Sequence, residues 1–378
     1  MSFALTDEQK EIQQGIHKLA QEKIKPRAAE IDEKAEYPFD IKELLSEYGY
    51  IGANLPEQYG GAGLDLLSYC LIVEEVARVC ASSSQVLTVQ ELGTLPIIIG
   101  GSEQLKERYV HDLATGRKIA AFGLTEPSAG SDVKNMKTRA EKDGGYYRLN
   151  GQKCFISNGG VADVYSVFAK TDKGYAAFAI DKDTPGFIVG KLEKKMGIKG
   201  SPTAEIFFED CMVPEENLIG EDGEGFLVAM KTLDKTRPGI GAQALGIAQG
   251  ALDVCLEYVK EREQFGRPIG SFQAIQFMLA DMAIQIEAAR GLVYRAAASL
   301  DNLGSKGKDP SMMKLASMAK VFASDTAMKV TTDAVQILGG YGYIQEFPVE
   351  RMMRDAKITQ IYEGTNQIQR VVISRSIM

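Results

Sequence analysis

Glu363 stands directly before a glycine in Ile361-Tyr-Glu-Gly-Thr-Asn-Gln-Ile-Gln-Arg370, a stretch that comes just after Arg354-Asp-Ala-Lys-Ile358. A carboxylate held against a weakly acidic C–H can act as its general base; taken alone, the same residue reads as an acid at a helix end. A second stretch, Phe122-Gly-Leu-Thr-Glu-Pro-Ser-Ala-Gly-Ser-Asp132, is rich in small and hydroxyl side chains. Small residues let backbone approach a ligand closely, and free N–H groups can take up its oxygens, although an ordinary Gly/Ser loop has the same composition. Arg262-Glu-Gln-Phe-Gly-Arg-Pro-Ile269 places two arginines around an aromatic residue. Arginine suits phosphate recognition, while a solvated loop explains the segment equally well in isolation. Gln336-Ile-Leu-Gly-Gly-Tyr-Gly-Tyr343 is a glycine cluster without the spacing or the strand-loop-helix setting of a dinucleotide fingerprint.

The elements that must hold these stretches fall into three segments, an α+β multidomain pattern. Residues 1–120 read as an N-terminal all-α domain: Thr6 is a plausible N-cap ahead of Asp7 and Glu8, Leu19, Ile24 and Ile31 recur roughly at helical spacing, and 66–81 is a strongly apolar helix. Residues 121–225 read as a middle β-barrel or sandwich, built from the runs 146–157, 164–170, 175–181, 186–192 and 204–214 with turn residues between them. Residues 226–378 return to helical periodicity, notably over 246–253 and 274–290.

Composition narrows the function. Lys+Arg 43 against Asp+Glu 51 gives a net charge of -8, which argues against a general nucleic-acid binder. Five scattered cysteines without a CxxC pair fit a reduced interior, and two histidines make a His-rich metal site an unpromising reading, so no metal is expected. The polar start lacks the apolar core of a signal peptide, and no run reads as membrane-spanning. A bacterial cytoplasm, or a mitochondrial matrix for a mature chain, is the expected compartment.

Together the four stretches, in this order and at these separations, resemble the acyl-CoA dehydrogenase family over essentially the whole chain, with Ala121–Asp132 and Arg354–Arg370 as the specific motifs. The resemblance implies a helical domain, a middle β-domain and a C-terminal four-helix bundle, with bound FAD and a homotetramer. Glu363 matches the family's catalytic base. Phe122, Leu124, Thr125 and Ser131 match the loop at the flavin and the thioester. Phe155 and Ser157 match the strand beside the isoalloxazine, with phenylalanine where the family usually has tryptophan; this chain has no tryptophan. Arg262, Phe265 and Gln273, with Gln336, Gly339 and Gly340, match residues that hold the FAD of a neighbouring subunit. Thr365 and Gln367 match FAD contacts after the base, Asp234 and Arg237 a pair near CoA, and Gly364 a substrate contact.

The resemblance further implies α,β-dehydrogenation of an acyl-CoA thioester to the 2-enoyl-CoA, Glu363 taking the α-proton and flavin N5 the β-hydride, with electrons passing to an electron-transfer flavoprotein. A short-chain, branched or cyclic acyl group is expected. An acyl-CoA oxidase using oxygen and a non-catalytic acyl-CoA- or FAD-binding relative are the competing readings. Glu91 departs from the pattern, lying where many relatives carry a small or neutral residue. It either faces solvent or a cation, or acts in the acyl pocket as a second acid/base or polar-acyl recognition group, since a charge in an apolar pocket is costly unless it has a partner or a task.

Overall fold

A computed structural model describes residues 4–301 and 310–378. Six helices come first: α1 (Asp7–Leu19), α2 (Ala28–Lys34), α3 (Phe39–Glu47), α4 (Leu66–Val79), α5 (Ala81–Gly100) and α6 (Glu103–Ala114). Thr6 opens α1 with a full capping box, its hydroxyl accepting from the Gln9 N–H while the Gln9 side chain accepts from the Thr6 N–H. Leu19, Ile24 and Ile31 are all buried, as their spacing implies. The helix that carries them is not continuous, however. A π-turn at Ala20–Ile24 and a 3-10 turn at Lys25–Arg27 intervene, because Pro26 has no N–H to donate and its ring crowds the preceding turn.

Eight strands come next: β1 (Ala120–Gly123), β2 (Arg139–Asp143), β3 (Tyr146–Ser157), β4 (Val164–Thr171), β5 (Gly174–Asp181), β6 (Phe187–Leu192), β7 (Thr203–Pro214) and β8 (Leu218–Gly223). They form one mixed sheet in the order β6-β7-β3-β2-β4-β5-β8, with β1 joined in parallel to β4. Five of these strands coincide with the runs read from the sequence. The other three give little local signal. β1 is four residues long, β2 is Arg-Ala-Glu-Lys-Asp, and β8 alternates weakly.

Helices then return as α7 (Gly225–Glu261), α8 (Gln273–Asp301), α9 (Pro310–Leu338), α10 (Val349–Thr359) and α11 (Asn366–Ile377). The 37-residue α7 runs through the centre, against α4, α5, α8, α9 and α10. Contrary to the sequence reading, α7 is long and apolar enough to cross a membrane; 78% of its most apolar window is buried within the protein, so its neighbours already cover that surface.

The sheet meets the first helical domain through Gln90 and Ser166. The Gln90 side chain accepts from the Ala120 N–H and donates to the Leu113 and Lys118 carbonyls; Ser166 on β4 donates to the Gly93 carbonyl. Within the sheet, Lys153 and Glu126 form a buried pair at 2.7 Å, with side chains 0% and 3% exposed. Lys153 also donates to the Leu124 carbonyl, and the Glu126 carboxylate accepts from the Lys137 and Thr138 N–H groups. Burial pulls the lysine down to about 8 against the opposing pull of Glu126, whose own carboxyl is held below its usual value by Lys153 and these N–H donors despite its burial. Removing one partner of such a pair strands the other charge. Lys153→Met is therefore expected to cost about 3 kcal/mol or more, read as a fall in thermal midpoint, with part of the loss recovered in the Glu126→Gln/Lys153→Met double variant.

Candidate active site

Glu363 lies in the turn between α10 and α11, at φ +51°, followed by Gly364 at φ +92°. A residue with a β-carbon occupies this left-handed region only at a cost, so the surroundings must hold it there. They do so from several sides. Gln369 Nε2 donates to the carbonyls of Glu363 and Gly364 at 3.0 and 3.1 Å, Lys320 Nζ donates to the Gly364 carbonyl at 2.9 Å, and Thr365 caps α11 by accepting from the Ile368 N–H. The neighbouring Tyr362 hydroxyl accepts from Gln85 and donates to Gln243.

The carboxyl itself accepts a 2.6 Å hydrogen bond from the buried Thr236 hydroxyl on α7. Burial pushes Glu363 up to about 7, while Thr236, Arg237 and Lys320 pull the other way. Arg237 is 4% exposed and binds Asp234 at 2.6 Å, and its Nε has no hydrogen-bond partner among the described residues. Arg237, which the family resemblance matches with Asp234 to a pair near CoA, thus also acts on the Glu363 carboxyl. Pro238, next along α7, lacks the N–H that would otherwise bond the Asp234 carbonyl.

One turn further along α7 is Gly239. A β-carbon there would meet Tyr69 Cε1 at 3.2 Å and Glu91 Oε2 at 3.6 Å. Thr236 and Gly239 are three residues apart, and an α-helix advances about 5 Å per turn. The two carboxyls therefore lie along one face of α7, a helical turn apart. Glu91 is 3% exposed, and no cation lies within ion-pair distance of it among the described residues. Its Oε1 accepts from Asn54 Nδ2 at 2.5 Å, and the Tyr69 hydroxyl sits beside it without completing a well-aligned hydrogen bond. Burial, reinforced by the charge of Glu363, pushes Glu91 up to about 8 despite Asn54. The solvent-facing and ion-paired readings are both overturned.

The remaining residues form two groups. Phe122 on β1 packs against Phe168, Leu124 is buried, Thr125 contributes a carbonyl that accepts from the Cys154 N–H, and Ser131 is exposed. Phe155 on β3 is 65% exposed at φ +58°, with Ser157 two residues on. Arg262, Phe265, Gly339 and Gly340 instead line a separate cleft of about 610 Å³ with Phe272 and Tyr341. There the Arg262 guanidinium stacks over Tyr341 and Phe265 is 94% exposed. Gln273 opens α8, Gln336 is exposed on α9 and Gln367 is exposed on α11. No residue of 122–157 reaches that cleft. Bare aromatic rings in both groups suit the faces of a planar cofactor, and Arg262 suits its phosphates. Sequence reasoning missed Thr236, Lys320, Tyr69 and Asn54. Thr236 lay inside a motif already singled out, whereas the others carry no local signal.

Three family models match the chain: the acyl-CoA dehydrogenase N-terminal domain over residues 6–117, the middle domain over 121–211 and the C-terminal domain over 223–378. The chain belongs to the acyl-CoA dehydrogenase family. It is an oxidoreductase acting on CH–CH bonds. A probable acyl-CoA dehydrogenase of Mycobacterium tuberculosis is 52% identical over all of this chain and 97% of its own length. A cyclohex-1-ene-1-carbonyl-CoA dehydrogenase of Syntrophus aciditrophicus is 50% identical over 99% of this chain and 91% of its own. Among solved structures, a chain from the electron transferring flavoprotein work on Acidaminococcus fermentans is 51% identical, covers both chains fully and superposes with a TM-score of 0.96. An acyl-CoA dehydrogenase from Bacillus anthracis complexed with FAD is 36% identical over 99% of this chain and 67% of its own, with a TM-score of 0.93.

The hydrogen bond from Thr236 favours the ionised form of Glu363. Thr236→Val is expected to move the titration of Glu363 above about 7, read from the carboxyl infrared band that disappears in Glu363→Gln.

Proposed function

We propose that this chain removes two hydrogens from the Cα–Cβ bond of an acyl-CoA thioester, giving the 2-enoyl-CoA, with Glu363 as the base that takes the α-proton. The observation that carries the reading is the half-buried Glu363 carboxyl, pushed up to about 7 by desolvation and bonded by Thr236 in a left-handed, multiply tied turn. A base works best when its pKa lies near the working pH. Bound FAD supplies the acceptor for the β-hydride, so the substrate loses one proton to Glu363 and an electron pair with its hydrogen to the cofactor. Phe122, Leu124, Thr125, Ser131, Phe155 and Ser157 hold FAD in one protomer, with Thr365 and Gln367 beside the base. Arg262, Phe265, Gln273, Gln336, Gly339 and Gly340 reach it from a neighbouring protomer. The separation of the two groups within one chain supports such a shared site and hence an oligomer, a tetramer in this reading. Electrons then leave to an electron-transfer flavoprotein.

Glu363→Gln keeps the shape and removes the base. FAD and acyl-CoA binding should survive, while flavin reduction on rapid mixing slows by ~10²-fold or more. Bleaching at the parental rate would place the base elsewhere.

Glu91 bears on the acyl group. A second enclosed carboxyl one turn from the base, with Asn54 and Tyr69 around it, makes the far side of the site polar. Such a pocket disfavours a long saturated chain, which cannot offset the desolvation of those groups. A short, branched or cyclic acyl group therefore fits best, and the similarity to the cyclohex-1-ene-1-carbonyl-CoA dehydrogenase supports the cyclic option. Glu91→Ala should raise kcat/KM for linear apolar acyl-CoAs relative to cyclic ones. An unchanged ratio would remove Glu91 from the site.

A further inference from the structure

Lys320, on α9, is fully enclosed. Buried lysines usually answer a carboxylate, yet no carboxylate lies within ion-pair distance of this one among the described residues. Its Nζ donates to the Gly364 carbonyl at 2.9 Å, in the turn that carries Glu363, and to Asn366 Oδ1 at 3.0 Å, at the first residue of α11. Asn366 is itself anchored, its Nδ2 donating to Ser324 Oγ at 2.9 Å and to Asp325 Oδ1 at 2.7 Å. The ammonium thus ties the turn to α9 at the left-handed pair Glu363–Gly364, where the backbone most needs support.

We propose that Lys320 is a positioning residue for the reaction: by clamping the Gly364 carbonyl and Asn366 it keeps Glu363 in its left-handed conformation, with the carboxylate presented to the substrate, and it sets a positive charge behind the base. The proposal rests on the reading of Glu363 as the base. Several groups face that carboxyl: Thr236 and Arg237 from α7, Glu91 from α5, Tyr69 from α4 and Tyr362 from its own turn. Lys320 in turn faces Glu363, Arg237 and Asp325. Lys320 and Arg237 both favour the ionised glutamate, so loss of the lysine charge makes the base harder to ionise. Burial pulls Lys320 down to about 7. The ammonium is therefore present on the acid side of neutrality, where it extends the working range of the base.

The test uses the holoenzyme variants Lys320→Met and Lys320→Gln, with anaerobic single-turnover flavin reduction measured per bound FAD across pH. Lys320→Met should lower the alkaline plateau by ~10-fold or more, the size of effect a misplaced group produces, and move the acid limb to higher pH. Lys320→Gln retains a donor without the charge; it should recover the plateau in part while its acid limb stays high. A merely structural lysine would reduce yield and thermal midpoint and leave the per-flavin rate and the acid limb untouched, and that result overturns the proposal. Should the Met variant not fold, a parental acid limb in Lys320→Gln overturns it equally. Glu363→Gln run in parallel separates the two ideas. If it is inert while Lys320→Met behaves as the parent, the lysine proposal alone fails; if it reduces flavin at the parental rate, the base reading fails and takes this proposal with it.

Discussion

A carboxyl group partly withdrawn from water at a left-handed turn is the constraint around which the candidate site is arranged. Desolvation raises the proton affinity of Glu363, and burying a charge is tolerated only where hydrogen bonds and nearby cations offset it. Thr236, Arg237 and Lys320 meet that need from α7 and α9, while Gln369 on α11 holds the backbone of the turn. The length of α7 serves the same requirement. One helix brings Thr236 to Glu363 and Gly239 to Glu91, and it packs against both α4 and α9. A β-carbon at Gly239 would crowd the Tyr69 ring at 3.2 Å and lie in ordinary contact with Glu91 at 3.6 Å.

The sheet serves a different need. Phe155 stands exposed on β3, and the buried Lys153–Glu126 pair links the 122–131 loop to that strand. The Cys154 N–H bond to the Thr125 carbonyl adds a second link. A charged pair in an apolar interior is a poor source of stability but fixes geometry closely, because any slip exposes an unpaired charge.

Much of this is legible in the amino-acid sequence. The long motifs around Glu363 and Phe122 point to the family, and the apolar runs at 146–157 and 204–214 are β3 and β7. The hidden part depends on partners distant in sequence. β2 is a charged pentapeptide that becomes a strand only because β3 pairs with it. The orientation of Glu91 depends on how α5 turns against Asn54 and α7, which no local pattern encodes. Lys320 resembles any helical lysine until the Gly364 carbonyl is set against it.

The long separations in the site have a consequence for biosynthesis. Thr236 and Glu363 are 127 residues apart, and Tyr362 meets Gln85 across 277. Contacts of such range form late, after the loops between them have closed. While the ribosome is still adding α10 and the turn beyond it, the helical and sheet domains can already be collapsing, yet the carboxyl of Glu363 has not been added. The Thr236 bond to that carboxyl, and the Gln369 bonds that hold its turn, are completed only after α11 has been added and can pack against α9.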